Sequence, residues 1–165
     1  ITCRDWSSDV CSSDLDAHAG HFVNVLIPQA GNLLWRRPFS IHQVDRSKGT
    51  IDLLLASVGK GSQALSRLNT GAQLDLLGLL GNTFTYPADL QEAVIVAGGV
   101  GIAPFLLMMQ DLQKRAIAKT VFYGAGNLHR LCCLPEFTTH GPQLHIATED
   151  GSSGTKGYVT HLFYH

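Results

Sequence analysis

The sequence is short of cysteine, short of charge and without any long apolar run, and each shortage removes a class of protein. Its four cysteines, Cys3, Cys11, Cys132 and Cys133, are spaced too widely or too closely for a CxxC zinc or redox motif. No metal site is therefore expected, and a reducing, cytoplasmic compartment is. No uninterrupted apolar stretch reaches the ~18 residues that cross a bilayer, so membrane insertion is not expected. Twelve Lys and Arg against thirteen Asp and Glu leave a formal net charge of −1, without the basic surplus that marks a nucleic-acid surface. Six of the eight histidines, His21, His42, His129, His140, His145 and His161, are scattered without HxxxH or HExxH spacing among themselves. Ser40 and Ser66 lack the GxSxG elbow, and the acidic residues form no hydrolase-like pair. What is present, 165 residues that are 45% hydrophobic with 17 glycines, is the composition of an ordinary globular protein able to bury a core.

Residues 1–15, ITCRDWSSDVCSSDL, repeat a Ser-Ser-Asp-apolar unit and have neither helical nor strand periodicity. They resemble the conceptual translation of a sequencing-library adapter and are expected to be no part of the fold. From residue 21 the pattern turns β-rich. HFVNVLI (21–27), PFSIHQVD (38–45) and TIDLLLASV (50–58) read as strands separated by turns at Gly31-Asn32 and Lys48-Gly49, which predicts an antiparallel sheet or barrel. A short helix follows with Ser62 as N-cap, Ala64, Leu65 and Leu68 on one face, and Gly71 closing it. Residues 74–78 alternate like a strand, and Gly78, Gly81 and Pro87 mark a loop. The natural cut falls near 88–92, giving a first domain over 16–90 and a second over 91–165. In the second, the order becomes strand (93–99), helix (104–115), strand (120–125), weaker helix (128–138), strand (143–148) and the start of another helix (157–163). Such βαβαβ order predicts a parallel sheet.

Three segments carry candidate chemistry. Gly98-Gly99-Val100-Gly101-Ile102-Ala103-Pro104 lies between an apolar strand and an apolar helix. Glycines let backbone turn and approach a ligand, and free N–H groups at a helix start favour a phosphate. The spacing is GGxGxAP, so the GxGxxG fingerprint fails and tight packing competes as an explanation. Arg36-Arg37-Pro38-Phe39-Ser40 opens a strand with a guanidinium fork and a hydroxyl, suited to phosphate oxygens and to a polar ring atom; an exposed basic pair is the plain alternative. Gly59-Lys60-Gly61-Ser62 is a second helix start, and here the alternative is a simple cap.

In this order RRPFSI, VGKGS, GLLGNTF, VAGGVGIAP and ATEDGSSGTKG resemble the ferredoxin–NADP reductase superfamily, and within it the electron-transfer subunits of class B dihydroorotate dehydrogenase. The resemblance covers roughly residues 20–163. It implies a β + α/β protein: an antiparallel flavin-binding β-barrel followed by a truncated parallel α/β nicotinamide-nucleotide domain. It implies that Arg37, Pro38, Phe39 and Ser40 contact FAD, with Arg37 at the pyrophosphate and Ser40 at the isoalloxazine. Leu54, Leu55 and Ala56 correspond to the segment passing the flavin, although the family usually has Tyr and Arg where Leu55 and Ala56 stand. Gly61 and Ser62 correspond to its phosphate-holding Gly-Thr. Gly98, Gly99, Gly101, Ala103 and Pro104 match the nicotinamide-nucleotide turn, and Thr148, Asp150 and Gly151 match a segment beside it. Leu79 and Thr83 depart from the family's GPLGNGF loop.

The resemblance further implies the cofactors FAD and NAD(H), and in the whole family protein a [2Fe–2S] cluster whose four cysteines are not found in this sequence. The implied partner is an FMN-containing dihydroorotate dehydrogenase catalytic subunit, in pyrimidine biosynthesis. Electrons would pass from NADH through FAD toward the cluster and that subunit, with no catalytic acid or base required. Arg130, after the second strand, is the residue that would meet a 2′-phosphate if NADPH were used. Two other expectations compete. One is a different NAD(P)H-flavin reductase or hydrogenase-type diaphorase subunit of the same superfamily; the other is a non-catalytic fragment acting only as a binding scaffold.

Overall fold

A computed structural model describes residues 8–9, 16–27 and 35–163. The chain divides into two compact units, Ile1–Thr83 and Phe84–His165.

The first unit is an antiparallel sheet. Its strands are β1 (Ser8–Asp9), β2 (Phe22–Leu26), β3 (Arg37–Asp45), β4 (Thr50–Leu53) and β5 (Asp75–Leu80), with helix α1 (Lys60–Ser66) before the last. The strand order is β1-β4-β3-β2-β5. Val23 and Val25 alternate with more exposed residues along β2 and join Ile41, Ile51, Leu53 and Leu65 in the core, as the period of two requires. β3 serves both halves of the sheet: residues 37–40 pair with β2, and Ile41 onward with β4. His42 is the extra residue of a β-bulge, because the register steps from Ile41↔Leu53 to Gln43↔Asp52. A bulge bends and twists its strand, which is how an antiparallel sheet curls toward a barrel. The β3–β4 turn is fixed by Asp45, whose carboxylate accepts the N–H groups of Ser47 at 3.0 Å and Lys48 at 3.2 Å and the Ser47 hydroxyl at 2.6 Å.

Four expectations for this unit change. Ser8–Asp9, within the segment set aside as foreign, pairs antiparallel with Thr50 and Ile51; an open strand edge accepts any extended backbone, whatever its side chains. The strand expected over 50–58 stops at Leu53, where its pairing with β3 ends opposite Ile41, and Leu54 and Leu55 continue the chain as buried core residues outside the strand. Gly78 lies inside β5 and not in a loop. A Cβ there would sit 2.8 Å from Val23 Cγ1, so β2 and β5 meet only because the side chain is absent. Ser62 is the third residue of α1 and Gly59 is its N-cap. The expected Gly31-Asn32 turn and Cys3 and Cys11 lie outside the described residues.

The second unit is a parallel sheet, β6 (Glu92–Gly98), β7 (Ala118–Ala125), β8 (Gln143–Thr148) and β9 (Thr155–Lys156), in that order. A 3-10 turn at Gly99–Ile102 and helix α2 (Phe105–Lys114) link β6 to β7. Helix α3 (Leu134–Thr138) links β7 to β8. Ile95, Ala97, Val121 and Tyr123 are buried on one face, where Leu106, Met109 and Leu112 of α2 complete the core. Val94 and Val96 on the other face are exposed, while Phe122 stacks on His145 and meets Phe163 at a tilt, each with ring centres 4.8 Å apart.

The βαβαβ expectation is met, with three refinements. The unit begins at Phe84, not near residue 91, because Phe84 stacks on Phe105 of α2 at 5.8 Å and the Arg115 guanidinium lies 5.2 Å from the Tyr86 ring centre. The helix expected over 128–138 is a 3-10 turn (Leu128–Arg130) and a five-residue helix, divided where Cys133 takes a left-handed φ of 56°. Residues 157–163 form a 3-10 turn (Val159–Phe163) in place of a new α-helix.

Candidate functional site

Two groups of expected residues fall at separate places, one in each unit. In the first, the two adjacent arginines have different jobs. Arg36 donates to the Asp75 carboxylate at 2.6 Å and to the Asp75 carbonyl at 3.0 Å, tying the start of β3 to β5. Asp75 is held below the ordinary carboxylate range by that guanidinium hydrogen bond. Arg37 is half-buried and has no hydrogen-bond or ion-pair partner among the described residues, so its fork remains available for an anion. Phe39 shares the Arg37 face of β3, opposite Val23, while Pro38 and Ser40 point to the other face. The Ser40 hydroxyl is likewise unpaired among the described residues.

The α1 start is partly used by the protein itself. Ser62 Oγ accepts the N–H groups of Val58 and Gly59 at 3.1 Å each and donates to the Gly59 carbonyl. The N–H groups of Lys60 and Gly61, in the first turn, have no intrahelical acceptor. Gly59, the first residue of the expected Gly59-Lys60-Gly61-Ser62 helix start, has nothing within 4 Å of where a Cβ would be, so open space adjoins that turn. Leu54 and Leu55 are core residues, 6% and 3% exposed. Of the expected trio only Ala56 is more than marginally accessible. An unpaired guanidinium, an unpaired hydroxyl and a free helical first turn beside open space suit the phosphates and polar ring edge of a flavin dinucleotide.

In the second unit the glycine turn caps the C-terminal end of β6, where parallel sheets bind ligands. Gly98, Gly99 and Gly101 each have nothing within 4 Å of a built Cβ. Tight packing among the described residues therefore does not explain these glycines, and Gly99 alone has a positive φ, 51°. The contrast is with Gly124, whose Cβ would lie 2.7 Å from Val159 Cβ, and with Gly154 and Gly157, which would collide with the Ile146 carbonyl and the His161 ring. Ala103 is buried and its N–H closes the turn onto the Val100 carbonyl at 3.0 Å. Pro104 is the N-cap of α2, one position earlier than its expected place in the first turn.

Two residues expected at a cofactor turn out to brace their own loop. Thr148 is wholly buried, and its hydroxyl donates to the Ser153 carbonyl at 2.8 Å and accepts the Ser153 N–H at 2.9 Å. Asp150 accepts the Ser152 hydroxyl at 2.6 Å and N–H at 2.9 Å, which lowers its pKa. Ser152 Oγ in turn accepts the Leu128 N–H at 2.8 Å. Gly151, with φ 78°, allows that loop to turn. Arg130 is exposed, and Arg130 and Glu149 flank Gly126 at 3.6 and 3.9 Å from its would-be Cβ.

Sequence reasoning missed Tyr123. It is buried, and its hydroxyl donates to the Gly99 carbonyl at 3.0 Å and accepts the Cys132 N–H at 2.8 Å. Its only sequence signal is an aromatic with a polar tip inside an otherwise apolar strand. Among the described residues no group of three or more His, Cys, Asp or Glu side chains is arranged to hold a metal ion, and no helix is long and apolar enough to cross a membrane.

Residues 8–86 match the oxidoreductase FAD-binding domain family. The solved NADH-dependent reduced ferredoxin-NADP oxidoreductase, described in a study of flavin-based electron bifurcation, superposes with a TM-score of 0.78 at 28% identity over 90% of this chain and 52% of its own. A ferredoxin-NADP+ reductase from Plasmodium falciparum, at 19% identity and a TM-score of 0.73 over 92% of this chain and 68% of its own, shares the fold. Residues 8–86 are thus an FAD-binding oxidoreductase domain by family match, and the chain as a whole is similar in fold to ferredoxin-NADP reductases. In sequence the chain is similar to the electron transfer subunit of dihydroorotate dehydrogenase B (NAD(+)). Identity is 38% over 143 residues with the Desulforamulus reducens subunit and 39% over 145 with that of Enterococcus faecalis, each alignment covering 87% of this chain. The alignments cover 55% and 54% of those subunits, so the chain spans about half the length of the curated relatives it matches.

Proposed function

We propose that the protein is the flavin and nicotinamide portion of an electron-transfer subunit that carries electrons from NADH through FAD toward a dihydroorotate dehydrogenase catalytic subunit bearing FMN. The observation that carries this is the open glycine turn at the end of β6: three glycines without packing neighbours, in a chain whose other unit is an FAD-binding domain. FAD, when bound, supplies acceptance of a hydride and release of its electrons one at a time. The chain's own residues bind and orient. Arg37 meets the pyrophosphate, the Lys60 and Gly61 N–H groups complete that contact, Ser40 reaches the ring with its hydroxyl, and Phe39 supports the Arg37 face of β3. Ala56 lines the same site through its accessible side chain, and Leu54 and Leu55 shape it from the core. In the second unit, backbone N–H groups over 98–101 receive the nicotinamide nucleotide, and Thr148, Asp150 and Gly151 hold the adjoining loop in place. No proton-transferring side chain is needed for either step.

The similarity to an NADH-dependent ferredoxin-NADP oxidoreductase favours one other reading, a reductase with a different acceptor. Both are tested on the purified chain incubated with FAD. The visible spectrum should show bound flavin that bleaches on anaerobic addition of NADH. A chain that stays colourless after gel filtration overturns the flavin assignment. Flavin that bleaches with NADH, but whose electrons do not reach an added FMN-bearing dihydroorotate dehydrogenase subunit, favours the other acceptor.

A further inference from the structure

The glycine turn has no side chains of its own to fix its direction, and one buried phenol outside the expected set touches it. Tyr123 stands on β7, on the face covered by α2, and is 1% exposed. Its hydroxyl lies between two backbone groups: the Gly99 carbonyl at 3.0 Å, to which it donates, and the Cys132 N–H at 2.8 Å, which it accepts. The first belongs to the turn after β6, the second to the connection after β7.

We propose that Tyr123 is a positioning residue for the nucleotide turn, its hydroxyl holding the Gly99 carbonyl inward so that the Val100 N–H is presented to the ligand. The geometry follows from the planar trans peptide. The carbonyl of Gly99 and the N–H of Val100 belong to one plane and point in opposite directions. Drawing the carbonyl toward Tyr123, in the core, turns the N–H toward the side on which Gly98, Gly99 and Gly101 have no neighbours within 4 Å. Val100 is the second residue of the 3-10 turn, where a helix start leaves N–H groups without intrahelical acceptors. With φ of 51° at Gly99 and no side chain there, the turn has other conformations open to it. The phenol selects one. Burial pushes the Tyr123 pKa upward, so the hydroxyl keeps its proton and donates at any working pH.

This rests on the reading of the turn as a nicotinamide-nucleotide site, and the test separates the two. Tyr123→Phe keeps the ring and removes the hydroxyl. Tyr86→Phe is the control, since the Tyr86 hydroxyl is buried without a hydrogen-bond partner among the described residues. The Gly99 carbonyl 13C shift and amide hydrogen exchange at Cys132 are followed in the ligand-free 165-residue chain, and NAD+ affinity is measured by calorimetry. Removing the hydroxyl takes a donor from the Gly99 carbonyl and an acceptor from the Cys132 N–H, so the carbonyl shift should move upfield, and Cys132 exchange and the NAD+ Kd should each rise by roughly tenfold. Tyr86→Phe should change none of these. Incorporation of 3-fluorotyrosine at position 123, which restores ring and hydroxyl, should return all three to wild type. An unchanged Gly99 carbonyl shift in Tyr123→Phe overturns the clamp even if the wild type binds NAD+. A shifted carbonyl in a chain whose wild type does not bind NAD+ overturns the nucleotide reading, and the positioning role with it. A loss of affinity matched by the Tyr86 control, or not restored by 3-fluorotyrosine, is a general structural effect and also overturns the proposal.

Discussion

Replacing Gly101 by alanine should separate stability from binding. Nothing lies within 4 Å of the added methyl, and the residue's φ is outside the left-handed range, so the folded state accepts it without strain. A Gly-to-Ala change of that kind restricts the unfolded chain and stabilises by about 0.4–1 kcal/mol. The melting temperature should therefore hold or rise by a few degrees. Binding should respond in the opposite direction, because the methyl occupies the space through which a pyrophosphate would approach the backbone. Loss of one charge-assisted backbone hydrogen bond costs about 1.5–3 kcal/mol, so the NAD+ Kd should rise by roughly 10- to 150-fold. Gly124→Ala is the mirror experiment. Its methyl would sit 2.7 Å from Val159 Cβ and 3.2 Å from the Val159 nitrogen, an overpacking expected to cost about 1–3 kcal/mol and to lower the melting temperature. Circular-dichroism melting and titration calorimetry measure both variants. If Gly101→Ala binds NAD+ as the wild type does, the open space beside the turn is not a nucleotide site. If Gly101→Ala melts well below the wild type, these glycines are packing residues after all.

The arginine pair offers a second dissociation. Arg37→Ala should release FAD, read as lost flavin absorbance after gel filtration, with little change in melting temperature, whereas Arg36→Ala should lower the melting temperature through loss of the Asp75 tie. Equal flavin retention in Arg37→Ala and wild type would refute the phosphate assignment. Asp45 makes a pH prediction. Hydrogen bonds from the Ser47 hydroxyl first, and from Lys48, hold its carboxyl at about 2 in the folded chain, below the ordinary value near 3.9. A depressed carboxylate contributes stability fully above its unfolded pKa and loses it as pH falls through the folded one. Asp45→Asn should therefore melt below wild type at pH 7, and the gap should close as the pH approaches 2 in a melting series. A gap that persists at low pH would show that charge is not what stabilises the turn.

Much of the architecture was legible because it rests on local pattern. Alternation along 22–26 and 143–148 and the strand, glycine turn and helix at 92–114 depend on side-chain periodicity and on glycine conformational freedom, both written in the residues themselves. The places where the reading shifted are those where distant backbone decides. β4 ends at Leu53, where its register with β3 ends opposite Ile41, and Gly78 belongs to a strand because of β2, which lies far from it in sequence. Phe84 and Tyr86 join the second unit because α2 receives them.

The candidate sites divide the same way. By itself the sequence determined which residue types stand where a flavin and a nicotinamide nucleotide would be held: the arginine pair, the two glycine-bearing helix starts, and the order of the two units. Only the tertiary structure decided which members are free to act. It committed Arg36 to Asp75 and left the Arg37 side chain unpaired among the described residues, turned the Ser62, Thr148 and Asp150 side chains onto their own loops, and set open space beside Gly98, Gly99 and Gly101. It also brought Tyr123 from the next strand against Gly99. The reason is that a residue's type sets what it can bond, while whether that capacity is already satisfied depends on neighbours that only folding brings within reach.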